Sequence, residues 1–197
     1  MVQKSPSPNP RGRPRTFDPA DALKAASERF RTRGYAGTSL DDLVDATGLA
    51  RPSLYAAFGD KRALYLAALD RTIDRVGRSF DALVASDLPL RESLTAMFRF
   101  VVDGFLTGEA GPSGCIMITT SATGAVEDAA VRERLATFLA IEDDRVEALL
   151  ADRGDAKAHA HARLVTAVVH SLSVRARAGA TREELDAIAA ACITLIA

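Results

Sequence analysis

Arg51 and Ser53 stand at the start of the segment RPSLYAAF, whose apolar side is carried by Leu54. A guanidinium held outward at the beginning of a helix has a well-defined use: its planar fork pairs with the O6 and N7 edge of guanine, discriminating by roughly 1–3 kcal/mol against other bases. That use requires a second helix behind the first and a sharp turn between them. Leu40, Leu43, Val44 and Leu49 supply apolar positions just upstream, and Gly48 permits the turn. Two short helices and a turn also occur in helical proteins that never touch DNA, so spacing alone leaves both readings open.

The surrounding elements read as helices throughout. The chain has 197 residues, 48% of them hydrophobic and 26% charged, and is rich in Ala, Leu, Arg and Glu, which favour helix over strand. Asp18-Pro19 caps a first helix whose Ala22, Ala26 and Phe30 repeat every four residues until Gly34. Thr38 is expected to cap the second helix, Thr47-Gly48 to end it, and a third to run from Arg51 to Ala57. A long fourth helix carries the stripe Tyr65, Leu69, Ile73, Val76, Phe80 and Leu83. Further helices are expected over 88–106, 113–123, 128–152, 155–178 and 181–196, the last opening on a capping box of Thr181 and Glu184. The fold class is therefore all-α.

Charge divides the chain. Residues 1–65 hold 11 Lys/Arg against 7 Asp/Glu, and the rest is acidic, for a net charge of -1. A basic module on an acidic body suits a nucleic-acid reader joined to something else, although the codon bias of a GC-rich genome also enriches Arg. Cys115 and Cys192 form no CxxC pair, and neither a secretory signal nor a membrane-length apolar run is present, so a reduced, cytoplasmic protein is expected. There is no P-loop, GxGxxG or HExxH, and GPSGC lacks the second glycine of a nucleophile elbow. His159, His161 and His170 have poor spacing for a metal site. No enzyme activity, metal or cofactor is expected.

The run from Phe17 to Leu69, with its AL..A...F...GY..TS start, DL..A.G turn and SLYAAFGDK, resembles the DNA-binding domain of the TetR/AcrR family of regulators. The resemblance implies an N-terminal three-helix helix-turn-helix domain and a C-terminal helical domain for ligand binding and dimerisation. On it, the chain divides into a flexible basic arm (1–14), a DNA-binding domain (15–62) and an effector and dimerisation domain (63–197). It further implies that Thr38 contacts phosphate, that Tyr55 and Lys61 hold the DNA backbone, and that Arg51 and Ser53 lie where bases are read. Ala50 departs from the Ser or Thr common at that cap. The implied partners are a palindromic double-stranded operator, a second copy of the chain and a small-molecule effector, with repression the usual mode.

Outside that run, PRGRP places Arg11, Arg13 and Arg15 in an arm resembling an AT-hook, whose arginines enter narrow A·T minor grooves. An architectural A·T-rich DNA-binding role without effector is the alternative it supports. Val165, Val168, Val169 and Leu172, with Leu185, Ile188, Ala189, Cys192, Leu195 and Ile196, form two apolar helix faces that suit either a dimer interface or a monomer core. Met97, Phe98, Phe105, Met117 and Phe138 are bulky residues on the middle helices, candidates for the effector pocket or for plain core. Glu142 shares a face with Leu135, Phe138, Val146 and Leu149, and is read as an orienting group for a cationic or hydroxylated ligand or, preferentially, a partly exposed ion pair. Cys115, near a helix start, is either a thiol of lowered pKa or, preferentially, a small buried hydrophobe.

Overall fold

A computed structural model describes residues 17–197, and the arm residues Arg11, Arg13 and Arg15 lie outside that range. Every regular element among the described residues is helical. Helix α1 (Pro19–Arg33) begins where Asp18 Oδ1 accepts from Ala20 N at 2.8 Å, and it buries Ala22, Ala26 and Phe30. Helices α2 (Leu40–Thr47) and α3 (Arg51–Phe58) are joined through Gly48, whose φ of 67° lies in the left-handed region that favours glycine. Leu43 and Leu54, both buried, pin the pair against Phe30 and the first turns of α4 (Lys61–Ala85).

Helix α4 is about 37 Å long at 1.5 Å per residue. It packs against α1 at the helix-turn-helix end and along the helix Ala129–Asp152 in the body, so a single helix belongs to both parts. The body continues with α5 (Leu90–Leu106), a π-helical turn (Met117–Ser121) running into the short α6 (Ala122–Gly124), then α7 (Ala129–Asp152), α8 (Ala158–Arg177) and α9 (Arg182–Ile196). Helix α7 packs along α8 and α4, while α5 lies against α8 and α9.

Two expectations about helix starts are corrected. Ser39, not Thr38, caps α2: Ser39 Oγ accepts from Asp42 N at 3.0 Å, and Asp42 Oδ2 accepts from Ser39 N at 2.8 Å. Thr38 is instead fully buried and donates to Gly34 O at 2.7 Å, closing the α1–α2 turn. The helix expected from Ser113 begins only after Cys115, because Gly114, at φ 66°, is pressed against α8. A Cβ there would lie 2.6 Å from Ser173 O. The segment is thus docked on α8, with Cys115 N donating to Ser173 Oγ at 2.8 Å.

The apolar faces of α8 and α9 also resolve. Val165, Val169, Leu172, Leu185, Ala189 and Cys192 are buried within the protomer, so they are core. Of the residues assigned to those faces, Leu195 on α9 is 74% exposed; Leu164 and Val174 on α8, which do not belong to them, are exposed as well.

Candidate DNA-reading face and effector cavity

Leu54 is buried on one side of α3, which leaves Arg51, Ser53 and Tyr55 exposed on the other. Pro52 occupies the first turn, where its missing amide donor costs nothing, and Ala50 gives no side-chain cap. Arg51 Nη2 donates to Asp41 Oδ1 of α2, with both side chains in solvent. The contact parks the guanidinium across the turn and raises its pKa through that hydrogen bond. At the start of α4, Lys61 Nζ sits 4.4 Å above the Tyr35 ring, which in turn packs 5.0 Å from Tyr65. Partial burial draws the Lys61 pKa down, and Asp42 opposes this. Tyr55 is exposed in the second turn of α3 and Lys61 opens α4 just after it, while Thr38 lies beneath the surface with its hydroxyl donated inward.

The head is fixed to the body by arginines. Arg31 of α1 donates to Gly104 O at 2.9 Å and to Thr107 O at 2.8 Å. Arg177 of α8 donates to Arg31 O at 2.8 Å and Thr32 O at 2.9 Å, so it holds the last turn of α1. Charged donors to carbonyls exposed at a helix end are stronger than neutral ones, and the local dipole favours them.

Between α1, α4, α5, α7 and α8 lies a cavity of about 660 Å³. Of the residues singled out in the sequence, it gathers Met97, Phe105, Cys115, Phe138 and Glu142. Phe98 and Met117 are packed in the core and do not line it. Sequence reasoning missed Phe80, Thr166 and His170, and also Arg31, through which the head itself forms part of the wall.

Glu142 differs from the partly exposed ion pair expected of it. It is 6% exposed, and His170 Nε2–H donates to its Oε2 at 2.7 Å. Burial raises its pKa, while His170 pulls the other way. The two residues are 28 positions apart on different helices, and only His170 on the cavity side of α8 could have hinted at the pairing. Cys115 is buried and its thiol is pushed up to about 11, chiefly by burial and then by Glu142. The lowered pKa considered for it is not what the site produces: the backbone N–H groups of Met117 and Ile118 in the first helical turn do act to lower it, but burial and Glu142 outweigh them. Each remaining histidine also sits against a carboxylate, His159 on Glu147 and His161 on Asp155. No group of three metal-ligating side chains occurs among the described residues.

Two short helices joined by a tight glycine turn, with one of them presenting a polar outer face, are the arrangement of a helix-turn-helix DNA-binding protein. Residues 22–68 match the bacterial regulatory proteins of the tetR family. Over 192 residues the chain is 33% identical to the HTH-type transcriptional repressor ComR of Escherichia coli strain K12, covering 94% of this chain and 91% of that protein. It is 28% identical over 190 residues to the repressor BdcR of the same organism, covering 96% and 94%. Among solved structures, a cysteine mutant of the TetR family regulator CifR, complexed with 26-bp operator DNA, superimposes with a TM-score of 0.78 at 32% identity, covering 94% of this chain and 100% of that one. The chain belongs to the tetR family, whose members are DNA-binding transcription regulators and not enzymes.

Proposed function

We propose that the chain is a homodimeric repressor that reads a near-palindromic operator through α3 and is released by a small molecule held in the cavity. The observation that carries this reading is the face of α3, where Arg51, Ser53 and Tyr55 project to solvent while Leu54 anchors the helix. The operator complex of CifR and the repressor names of ComR and BdcR support it. Arg51 and Ser53 read bases; Tyr55 and Lys61 hold the backbone, and Thr38 sets the turn that aims them. Arg11, Arg13 and Arg15 add contacts in the adjoining minor groove.

Dimerisation uses the exposed apolar residues Leu164, Val174 and Leu195 of α8 and α9, interspersed with the small Ala167 and Ala191 that allow helices to approach. A two-fold protein then reads a two-fold site. Release follows from the cavity wall: Arg31 of α1 and the second half of α4, from Arg71 on, both touch it, so an occupant that favours one spacing of the two heads shifts the population between DNA-competent and incompetent states. No helix among the described residues is long and apolar enough to cross a membrane, and the site of action is taken to be the bacterial cytoplasm.

The test is selection of binding sites from random duplex DNA, followed by titration of the winner at two salt concentrations. One enriched palindrome bound far more tightly than its scrambled version supports a specific repressor. Enrichment of A·T content without symmetry, with affinity set by salt alone, would replace it with the architectural role. Replacing Val174 and Leu195 by Arg and Glu is expected to shift the sedimenting species from dimer to monomer.

A further inference from the structure

The polar groups of the cavity are unequal. Each hydroxyl on its wall already donates to a neighbour: Ser27 to Leu23 O at 2.6 Å, Ser79 to Arg75 O at 2.9 Å, Ser86 to Leu83 O at 2.6 Å, Thr107 to Gly104 O at 2.9 Å and Thr166 to Asp143 Oδ1 at 2.7 Å. The carboxylate of Glu142 uses Oε2 for His170, and its Oε1 makes no hydrogen bond among the described residues. Oε1 is not among the sealed polar atoms that lack a partner, so it is reachable from the cavity, and a carboxylate oxygen has acceptor sites for a further donor. Around it stand Phe80, Phe105, Phe138, Val146 and Val169. The interior thus asks for an apolar body bearing a single hydrogen-bond donor.

Charge narrows the class. Lys24 and Arg75 line the exposed part of the wall and Arg71 a half-buried part, whereas Glu28 on the same wall is already bonded to Arg31 at 2.6 Å. Those cations oppose the approach of another cation. An anion that passes them meets the buried Glu142, which it would leave facing a like charge in a medium of low polarity. A neutral hydroxyl meets neither obstacle.

We propose that the cavity takes an uncharged, largely apolar molecule with a hydroxyl, of the phenol or alcohol class, which donates to Glu142 Oε1 while its ring or chain packs on Phe80, Phe105 and Phe138. The inference rests on the reading of this cavity as the effector site and adds its chemistry. A site that hydrogen-bonds a ligand hydroxyl rejects the analogue lacking it, because the site's own polar group is then left unpaired. His170 acts as the positioning residue that holds Glu142 in place.

The test uses the full chain and four probes of one shape: para-hexylphenol, para-hexyltoluene, para-hexylbenzylamine and para-hexylbenzoate. Calorimetric titration gives affinity, and operator release is followed separately by fluorescence anisotropy. The phenol is expected to bind at least about tenfold more tightly than the toluene. Glu142→Leu is expected to bring the two together by weakening the phenol. Should that variant not fold, Glu142→Gln keeps an acceptor without the charge, and the preference is expected to narrow several-fold. Equal binding of phenol and toluene overturns the proposal, as does tighter binding of the amine or the benzoate, or no binding by any probe. Preferential binding of the phenol without loss of operator affinity leaves the ligand class standing and sinks the effector-release reading instead.

Discussion

Arg62, at the start of α4, grips Asp128, the N-cap of α7, with Nε and Nη2 on its two carboxylate oxygens at 2.6 and 2.9 Å. One Asp128 oxygen also accepts from Ala130 N at 2.9 Å. A single carboxylate therefore starts a body helix and ties it to the DNA-binding head. The same pairing pulls its pKa from 3.8 down to about 2, with the Arg62 hydrogen bond as the leading cause.

A carboxyl whose folded pKa is depressed contributes stability that is present above its unfolded pKa and is lost as pH falls through the folded one. The contribution of Asp128 is therefore complete above about pH 4 and fades towards pH 2. Thermal midpoints of the wild type and Asp128→Asn are expected to differ near neutrality and to converge over that interval. A constant gap at every pH would assign the effect to helix capping alone.

The Asp41–Arg51 contact predicts a trade within the reading head. Arg51→Ala is expected to reduce the preference for the selected operator over a base-substituted one by on the order of tenfold. Asp41→Asn frees the guanidinium and removes a negative charge beside the DNA, so its affinity is expected to rise several-fold with no loss of selectivity. Competition binding at fixed salt measures both. An Asp41→Asn protein that binds more weakly would show that the contact orients Arg51 for reading.

Gly114 is irreplaceable on two counts: its positive φ, and Ser173 O lying only 2.6 Å from where a side-chain methyl would sit. Gly114→Ala is expected to cost about 2–4 kcal/mol in denaturant titration. Gly154, also at positive φ but with nothing within 4 Å of an added Cβ, provides the comparison. Its alanine variant is expected to cost only about 1 kcal/mol, the conformational part. Equal losses would mean that strain alone accounts for both.

Cys115, buried and held near a pKa of about 11, is expected to be protonated and slow towards thiol reagents at neutral pH. Labelling by iodoacetamide should accelerate by orders of magnitude in denaturant. Electrophile-induced release from the operator is expected to be the same for wild type and Cys115→Ser. A native thiol as fast as the unfolded one would place an open path to it.

The sequence alone carried the all-helical class and the N-terminal helix-turn-helix, for a local reason. Caps, the Gly48 turn and the alternation of Leu43 and Leu54 with exposed polar residues all act within a few positions, and the run from Phe17 to Leu69 compresses them into one pattern. Even there a choice between neighbours escaped it: Thr38 and Ser39 both suit a cap, and burial of Thr38 against the end of α1 decided between them. The body was less legible because its decisive contacts span long separations. Nothing local tells Phe105, on the cavity, from Phe98, in the core, or distinguishes the inward Val165 from the outward Leu164. Glu142 finds His170, Arg31 finds the 104–107 carbonyls and Gly114 finds Ser173 only once the helices have packed. Periodicity fixes which residues of a helix share a face; what that face meets is set by the arrangement of the other helices, and the cavity exists only in that arrangement.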